Sequence, residues 1–188
     1  DSNETYMSPL LVDLNSDGNK TLIFGTGGEG IAGNLYACDL NDLLDEDLSN
    51  ASPLVPNSEL GHIAPPAIGD INGDGILDII TQCFDGQVSA IDGNSFEILW
   101  QYKIESTESS ASPILGRFSA DDSNLDVFAT IFSGGESSYS DYYQVLLDGT
   151  NGDVLWNDSL GLINFCTPIA YDSNVDGNDE VLISVINN

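Results

Sequence analysis

The stretch Pro65–Ile80, PPAIGDINGDGILDII, places Asp70, Asn72, Asp74 and Asp78 at the first, third, fifth and ninth positions of a loop whose sixth residue is Gly75. A short apolar run precedes the loop and a β-branched run follows it, so it reads as a turn between two strands. The same phrase recurs as SPLLVDLNSDGNKTLIFG from Ser8 to Gly25 and as TPIAYDSNVDGNDEVLIS from Thr167 to Ser184. A more divergent copy, SPILGRFSADDSNLDVFAT, runs from Ser112 to Thr130. Each copy carries a proline four residues before its first loop position: Pro9, Pro66, Pro113 and Pro168. The period of about 50 residues suits a propeller blade.

Second halves repeat as well. NLYACD (Asn34–Asp39), QVSAID (Gln87–Asp92) and QVLLD (Gln144–Asp148) alternate as strands, and the last two continue through DGNSFEILW and DGTNGDVLW to Trp100 and Trp156. Each complete unit therefore offers about four strands. Helical periodicity is confined to one candidate, Leu40–Leu48. The fold class expected is all-β, a partial β-propeller of about three and a half four-stranded blades within one segment, residues 1–188. Its units are 8–64, 65–111, 112–166 and an incomplete 167–188.

Composition narrows the function. The 188 residues include 31 Asp and Glu against 3 Lys and Arg and a single His, for a net charge of -28. Nucleic-acid binding and polybasic membrane anchoring both need clustered cations, which Lys20, Lys103 and Arg117 do not supply. A hydrophobic share of 41% supports a folded core, not an acidic disordered tail. Like charges repel, so the carboxylates must be spread over solvent or neutralised by bound cations. No apolar run is long enough to span a membrane, and the first residues lack the basic and apolar regions of a secretion signal, as expected of a mature piece.

The loops point to the cation. Asp13, Asn15, Asp17 and Thr21 in the first, Asp70, Asn72, Asp74 and Asp78 in the second, and Asp172, Asn174, Asp176 and Glu180 in the fourth offer side-chain oxygens at positions one, three, five and nine. Asn19, Ile76 and Asn178 at position seven offer main-chain carbonyls. Hard oxygen donors in a flexible loop, with no thiol or imidazole, favour Ca²⁺. An EF-hand fits poorly, because the acidic residue falls at position nine and not twelve, and strands flank the loop. By carboxylate count the first loop, with Thr21 in last place, is the weakest.

The third loop opens on Arg117, followed by Ser119, Asp121, Asp122, Ser123 and Asp126. An arginine there repels a divalent ion, while its guanidinium can donate to the neighbouring carboxylates. This loop is expected to be metal-free.

The pattern Pro-x-x-x-Asp-x-Asn-x-Asp-Gly-x-x-Asp/Thr/Glu resembles the FG-GAP or VCBS repeats of integrin-α-like β-propellers. The resemblance covers nearly the whole chain; Arg117 and Thr21 depart from it. It implies calcium loops joining the first two strands of each blade. The outer halves, Ala90-x-Asp92 with Trp100 and Leu146-x-Asp148-x-x-x-Gly152-x-x-x-Trp156, are similar to the tryptophan-docking motif of quinoprotein (PQQ-like) repeats, in which the Trp packs between blades. Phe96 stands at the usual glycine position.

Three and a half blades leave open edges, an aggregation hazard unless paired. The remainder of a larger propeller, or another chain, is expected to complete them. The leading function is an extracellular or cell-surface (secreted or periplasmic) calcium-binding module for adhesion, recognition or scaffolding, with a protein or glycan partner, and no enzyme. Surface loops 25–33 and 133–143 are the candidate contact segments. The alternative is part of a secreted propeller enzyme, a polysaccharide lyase or a quinoprotein, with catalytic residues outside this segment. His62, in SELGHIAPP, reads as an ordinary loop histidine. Cys38, Cys83 and Cys166 lack metal or redox spacing; one disulfide with a free thiol, or three buried thiols, both fit, with buried thiols favoured.

Overall fold

A computed structural model describes residues 4–56, 58–119, 123–134, 138–160 and 167–185. Asp121, Asp122 and Cys166 lie outside the described residues. Four antiparallel sheets follow one another along the chain. The first holds β1 (Leu10–Val12), β2 (Thr21–Gly25), β3 (Leu35–Asp39) and β4 (Ser52–Pro53), with helix α1 (Leu40–Leu44) between the last two. The second holds β5 (Ala67–Gly69), β6 (Asp78–Gln82), β7 (Val88–Ile91) and β8 (Ile98–Tyr102). After β9 (Thr107–Glu108), which adds to the third sheet, come β10 (Ile114–Gly116), β11 (Asp126–Ser133), β12 (Asp141–Leu147) and β13 (Val154–Ser159). The fourth sheet has two strands among the described residues, β14 (Ile169–Tyr171) and β15 (Glu180–Leu182).

The sheets stack face to face because strand side chains alternate between faces. In the second sheet, Ile79 and Ile91 pack with Ile23, Leu35 and Ala37 of the first. Their neighbours Ile80, Val88, Ala90 and Trp100 pack with Val127, Ala129, Val145 and Leu147 of the third. Covered on both faces, β6 is buried along its whole length. First strands lie beside one another, β5 next to β10 and β10 next to β14. The short helix is narrower than the Leu40–Leu48 expected. Asp39 caps it by accepting the Asn41 N–H at 2.7 Å, but none of its residues is buried, so no packing sustains further turns.

Trp100 fixes the second sheet to the third. Its Nε1–H donates to the Gly149 carbonyl at 2.7 Å, and its ring lies against Gly152, where an added Cβ would stand 2.8 Å from ring carbons. Trp156 holds the same place in the next sheet, since Trp100 pairs with Ala90 and Trp156 with Leu146, each beside a bulge. The turn Asp92–Phe96 matches Asp148–Gly152, with the N–H of Phe96 donating to the Asp92 carbonyl as that of Gly152 does to Asp148. Phe96 replaces the glycine and packs into the core between the first two sheets. The first sheet sends no indole there, because its last strand is Ser52–Pro53.

Candidate metal centre

The three Asp-x-Asn-x-Asp-Gly loops share one main-chain design. Position six is left-handed at Gly18 (φ +93°), Gly75 (φ +87°) and Gly177 (φ +96°), a region that glycine enters without a Cβ penalty. Position four is left-handed too, at Ser16, Gly73 and Val175, so two of these loops hold a side-chain-bearing residue in a costly conformation. The first-position aspartate accepts the position-six N–H at 2.9 Å in all three: Gly18 to Asp13, Gly75 to Asp70 and Gly177 to Asp172. Asn15, Asn72 and Asn174 each accept the N–H two residues on, from Asp17, Asp74 and Asp176. Those aspartates in turn accept from Asn19, Ile76 and Asn178. Each carboxylate oxygen retains lone pairs beyond these bonds.

Position nine opens the following strand in every case. Thr21 pairs with Val12, Asp78 with Gly69 and Glu180 with Tyr171. In the third loop the residue at that register is Asp126, opposite Gly116, so this loop is one residue longer than the others. The carboxylates at this register close their loops: Asp78 accepts from Ile71, Glu180 from Ser173, and Asp126 from Ser119.

The loops sit in one row. The N–H of Leu77 in the second donates to the carbonyl of Leu14 in the first, at 2.8 Å. Arg117 and Asp179 join the third to the fourth: the Arg117 N–H donates to Asp179 Oδ2 at 2.9 Å, and the Asp179 N–H to the Arg117 carbonyl at 2.7 Å. Arg117 itself is exposed, and its expected acceptors Asp121 and Asp122 fall outside the described residues.

Differences between the loops bear on cation binding. In the first, Lys20 Nζ stands 3.6 Å from Asp13, and the amides of Asn15 and Asn19 donate to Asp17 at 3.1 and 3.0 Å. Hydrogen bonding, from the Asn19 N–H above all, holds the Asp17 carboxyl below the ordinary range. This loop opens on a cleft of about 220 Å³ shared with Asp39 and Asn94. In the second loop Asp78 is wholly buried and also accepts the Gly93 N–H at 3.1 Å, tying the loop to the turn after β7. Burial pushes its carboxyl upward, against the two N–H donors. In the fourth, Glu180 is exposed and takes donors from Ser173 and Asn174. Among the described residues no three Asp, Glu, His or Cys side chains gather into one cluster. A cation in any of these loops would have to draw on Asn and main-chain oxygens beside its carboxylates.

His62 lies in the connection between β4 and β5, as a loop histidine should, but it is buried, which the sequence did not signal. It is 1% exposed, with Nε2 3.0 Å from Ser58 Oγ and Nδ1 3.1 Å from Thr81 Oγ1. Gly25 makes room for it, since a Cβ there would lie 2.1 Å from the His62 carbonyl oxygen. Burial lowers its pKa to about 4. The unfolded chain binds a proton near pH 6.5, so stability is complete above that value and falls as pH drops toward 4, by up to about 3 kcal/mol. Urea unfolding at a series of pH values should show this loss in the native chain and a smaller one in His62→Gln.

Lys103 pairs with Asp85 at 3.2 Å and Glu59 at 3.4 Å. Cys38 and Cys83 are buried free thiols, and burial pushes Cys83 to about 12. Within the segment 25–33, Gly25 to Gly28 are buried and the Gly28 N–H donates to the Ile31 carbonyl, which leaves Glu29–Ala32 as its exposed tip. No helix among the described residues is long and apolar enough to cross a membrane.

No family model matches the chain, and neither does any curated protein. Among solved structures it is similar to BamB from Moraxella catarrhalis, at 18% identity and a TM-score of 0.51 over 90% of this chain and 45% of that one. It is also similar to a europium-containing methanol dehydrogenase, at 17% identity and a TM-score of 0.47 over 85% of this chain and 32% of that one. The chain spans less than half the length of either structure. Likeness at such identity concerns fold alone, and with the sheet order above it makes the chain a partial, unclosed β-propeller of a few blades.

Proposed function

We propose that the chain is a calcium-stapled propeller segment that serves outside the cell as a binding or structural module, without catalysis of its own. The observation that carries this reading is the common hydrogen-bond scheme of the three loops, in which the carboxylates of positions one and five each accept main-chain N–H groups of their own loop. Calcium would be structural here, cancelling repulsion among carboxylates in a chain of net charge -28. Extracellular calcium modules bind at about 10⁻⁴ to 10⁻³ M, which matches a calcium-rich exterior and leaves the loops largely empty in a cytosol. The second and fourth loops are the stronger, because Lys20 competes for Asp13 in the first. A protein or glycan partner would meet the exposed tip Glu29–Ala32 or the aromatic segment around Tyr139 and Tyr143.

The lyase alternative draws little support from the cations present. Such an enzyme needs free positive groups to hold an acidic sugar; both lysines are engaged by carboxylates, which leaves the exposed Arg117 alone.

Thermal melting with and without a chelator tests the proposal. At about 2 mM calcium each occupied loop should add about 0.7–1.8 kcal/mol. Asp74→Ala should remove the share of the second loop and leave the chelated melting temperature nearly unchanged. Identical melts in calcium and chelator contradict the proposal.

A further inference from the structure

The tripeptide Asn-Gly-Asp occurs twice, at Asn72–Asp74 in the second loop and at Asn151–Asp153 in the turn between β12 and β13. Both copies make the same local bond: Asn72 Oδ1 accepts the Asp74 N–H at 2.9 Å, and Asn151 Oδ1 accepts the Asp153 N–H at 2.7 Å. Their surroundings differ. Gly152 lies under Trp100, with an added Cβ 2.8 Å from the ring, and its N–H donates to the Asp148 carbonyl at 2.8 Å. Asn72 and Gly73 are exposed, and the nearest atom to a Cβ on Gly73 is Asn124 Oδ1 at 3.9 Å. The Gly73 N–H donates to the Asp70 carboxylate at 2.7 Å, a surface bond that water can replace. The other position-three asparagines, Asn15 and Asn174, precede Ser16 and Val175, whose side chains shield the main-chain nitrogen as glycine does not.

We propose that Asn72 is a self-modifying site, which converts to aspartate and isoaspartate in the folded chain while Asn151 is held unreactive. The main-chain nitrogen of Gly73 loses its proton and attacks Asn72 Cγ. The N–Cγ bond forms, the Cγ–Nδ2 bond breaks, and Nδ2 leaves as ammonia with that proton. Water then opens the cyclic imide, giving aspartate by attack at Cγ and isoaspartate by attack at the main-chain carbonyl. Ring closure turns the peptide out of its place in the loop, a local opening available to an exposed glycine and barred to one clamped under an indole. Aspartate gives the second loop a fourth carboxylate beside Asp70, Asp74 and Asp78. Isoaspartate adds a carbon to the main chain at position three and unmakes the turn that binds the Asp74 N–H. A further consequence rests on the calcium reading above: an ion drawing on Asp70 and Asn72 restrains the same side chain, so the modification records the time the loop has spent empty.

Peptide mapping by mass spectrometry of the native chain, kept in chelator at mildly alkaline pH, tests the proposal, with isoaspartate methyltransferase labelling to identify the rearranged product. Asn72 should react at least about tenfold faster than Asn151, a gap of about 1.4 kcal/mol in barrier. In urea the two, which share one tripeptide, should react at similar rates. Equal rates in the folded chain, or a gap that persists undiminished in urea, overturn the proposal. Millimolar calcium should slow Asn72 and leave Asn151 unchanged. An unchanged Asn72 rate in a chain shown by equilibrium dialysis to hold calcium overturns the protective role. A chain that binds no calcium contradicts the proposed function instead, and the comparison of the two asparagines in chelator still decides the modification.

Discussion

Trp100→Ala is expected to lower the stability of the chain by about 3–5 kcal/mol, the usual loss for a large aromatic removed from a packed core. The indole is almost wholly covered, belongs to the core between the second and third sheets, and is the donor that satisfies the Gly149 carbonyl. Alanine would leave a cavity between two sheets and a carbonyl without its donor. Trp100→Phe keeps most of the apolar body and loses the hydrogen bond, so about 1 kcal/mol or more should separate the two variants. Trp156→Ala is the internal control: the same residue type at the same register, half exposed, should cost far less. Urea unfolding of the three variants checks the ranking. Equal losses at the two tryptophans would contradict the docking of one sheet onto the next.

Asp78→Ala should be the most damaging change in any loop, with or without calcium. The carboxylate is fully buried and accepts two main-chain N–H groups, from Ile71 at 3.0 Å and Gly93 at 3.1 Å. Each buried donor left without a partner costs about 1–3 kcal/mol. Asp74→Ala makes the opposite case. Its side chain is exposed and accepts only the Ile76 N–H in its own loop, so a small loss is expected in chelator and a reduced response to calcium. Denaturation in chelator separates the two roles, since only Asp78→Ala should be strongly destabilised there. A mild Asp78→Ala would mean that the tie between the loop and the β7–β8 turn carries little energy.

Much of the fold was legible because the sequence repeats itself. The prolines mark the start of the first strand of each sheet, the Asp-x-Asn-x-Asp-Gly phrase marks the turn after it in three of the four, and β-branched runs mark the second strand. The single helix announced its start through Asp39, whereas its early end depended on the absence of burial, which no local pattern encodes. Register in the third loop was hidden. Without the glycine or the aspartate ladder, its extra residue shows only in the pairing of Gly116 with Asp126. His62 looked like a loop residue because its neighbours are polar and turn-forming. Its burial comes from Gly25, distant in sequence, whose missing side chain lets the His62 main chain approach. The same holds for Asp78. Its place in the loop was plain, but its bond to Gly93 joins two turns that only the folded sheet brings together. Phe96 stood out as a departure from a glycine position, and its reason lies in the preceding sheet, which ends on Ser52–Pro53 without a tryptophan.

Equilibrium dialysis against radioactive calcium tests the central claim most directly, because it counts bound ions without relying on stability. The account predicts two ions per chain at millimolar calcium from the second and fourth loops, a weaker third from the first, and the loss of one ion in Asp74→Ala. A chain that retains no calcium at millimolar concentration, or that binds as much after Asp74→Ala and Asp176→Ala together, would contradict it.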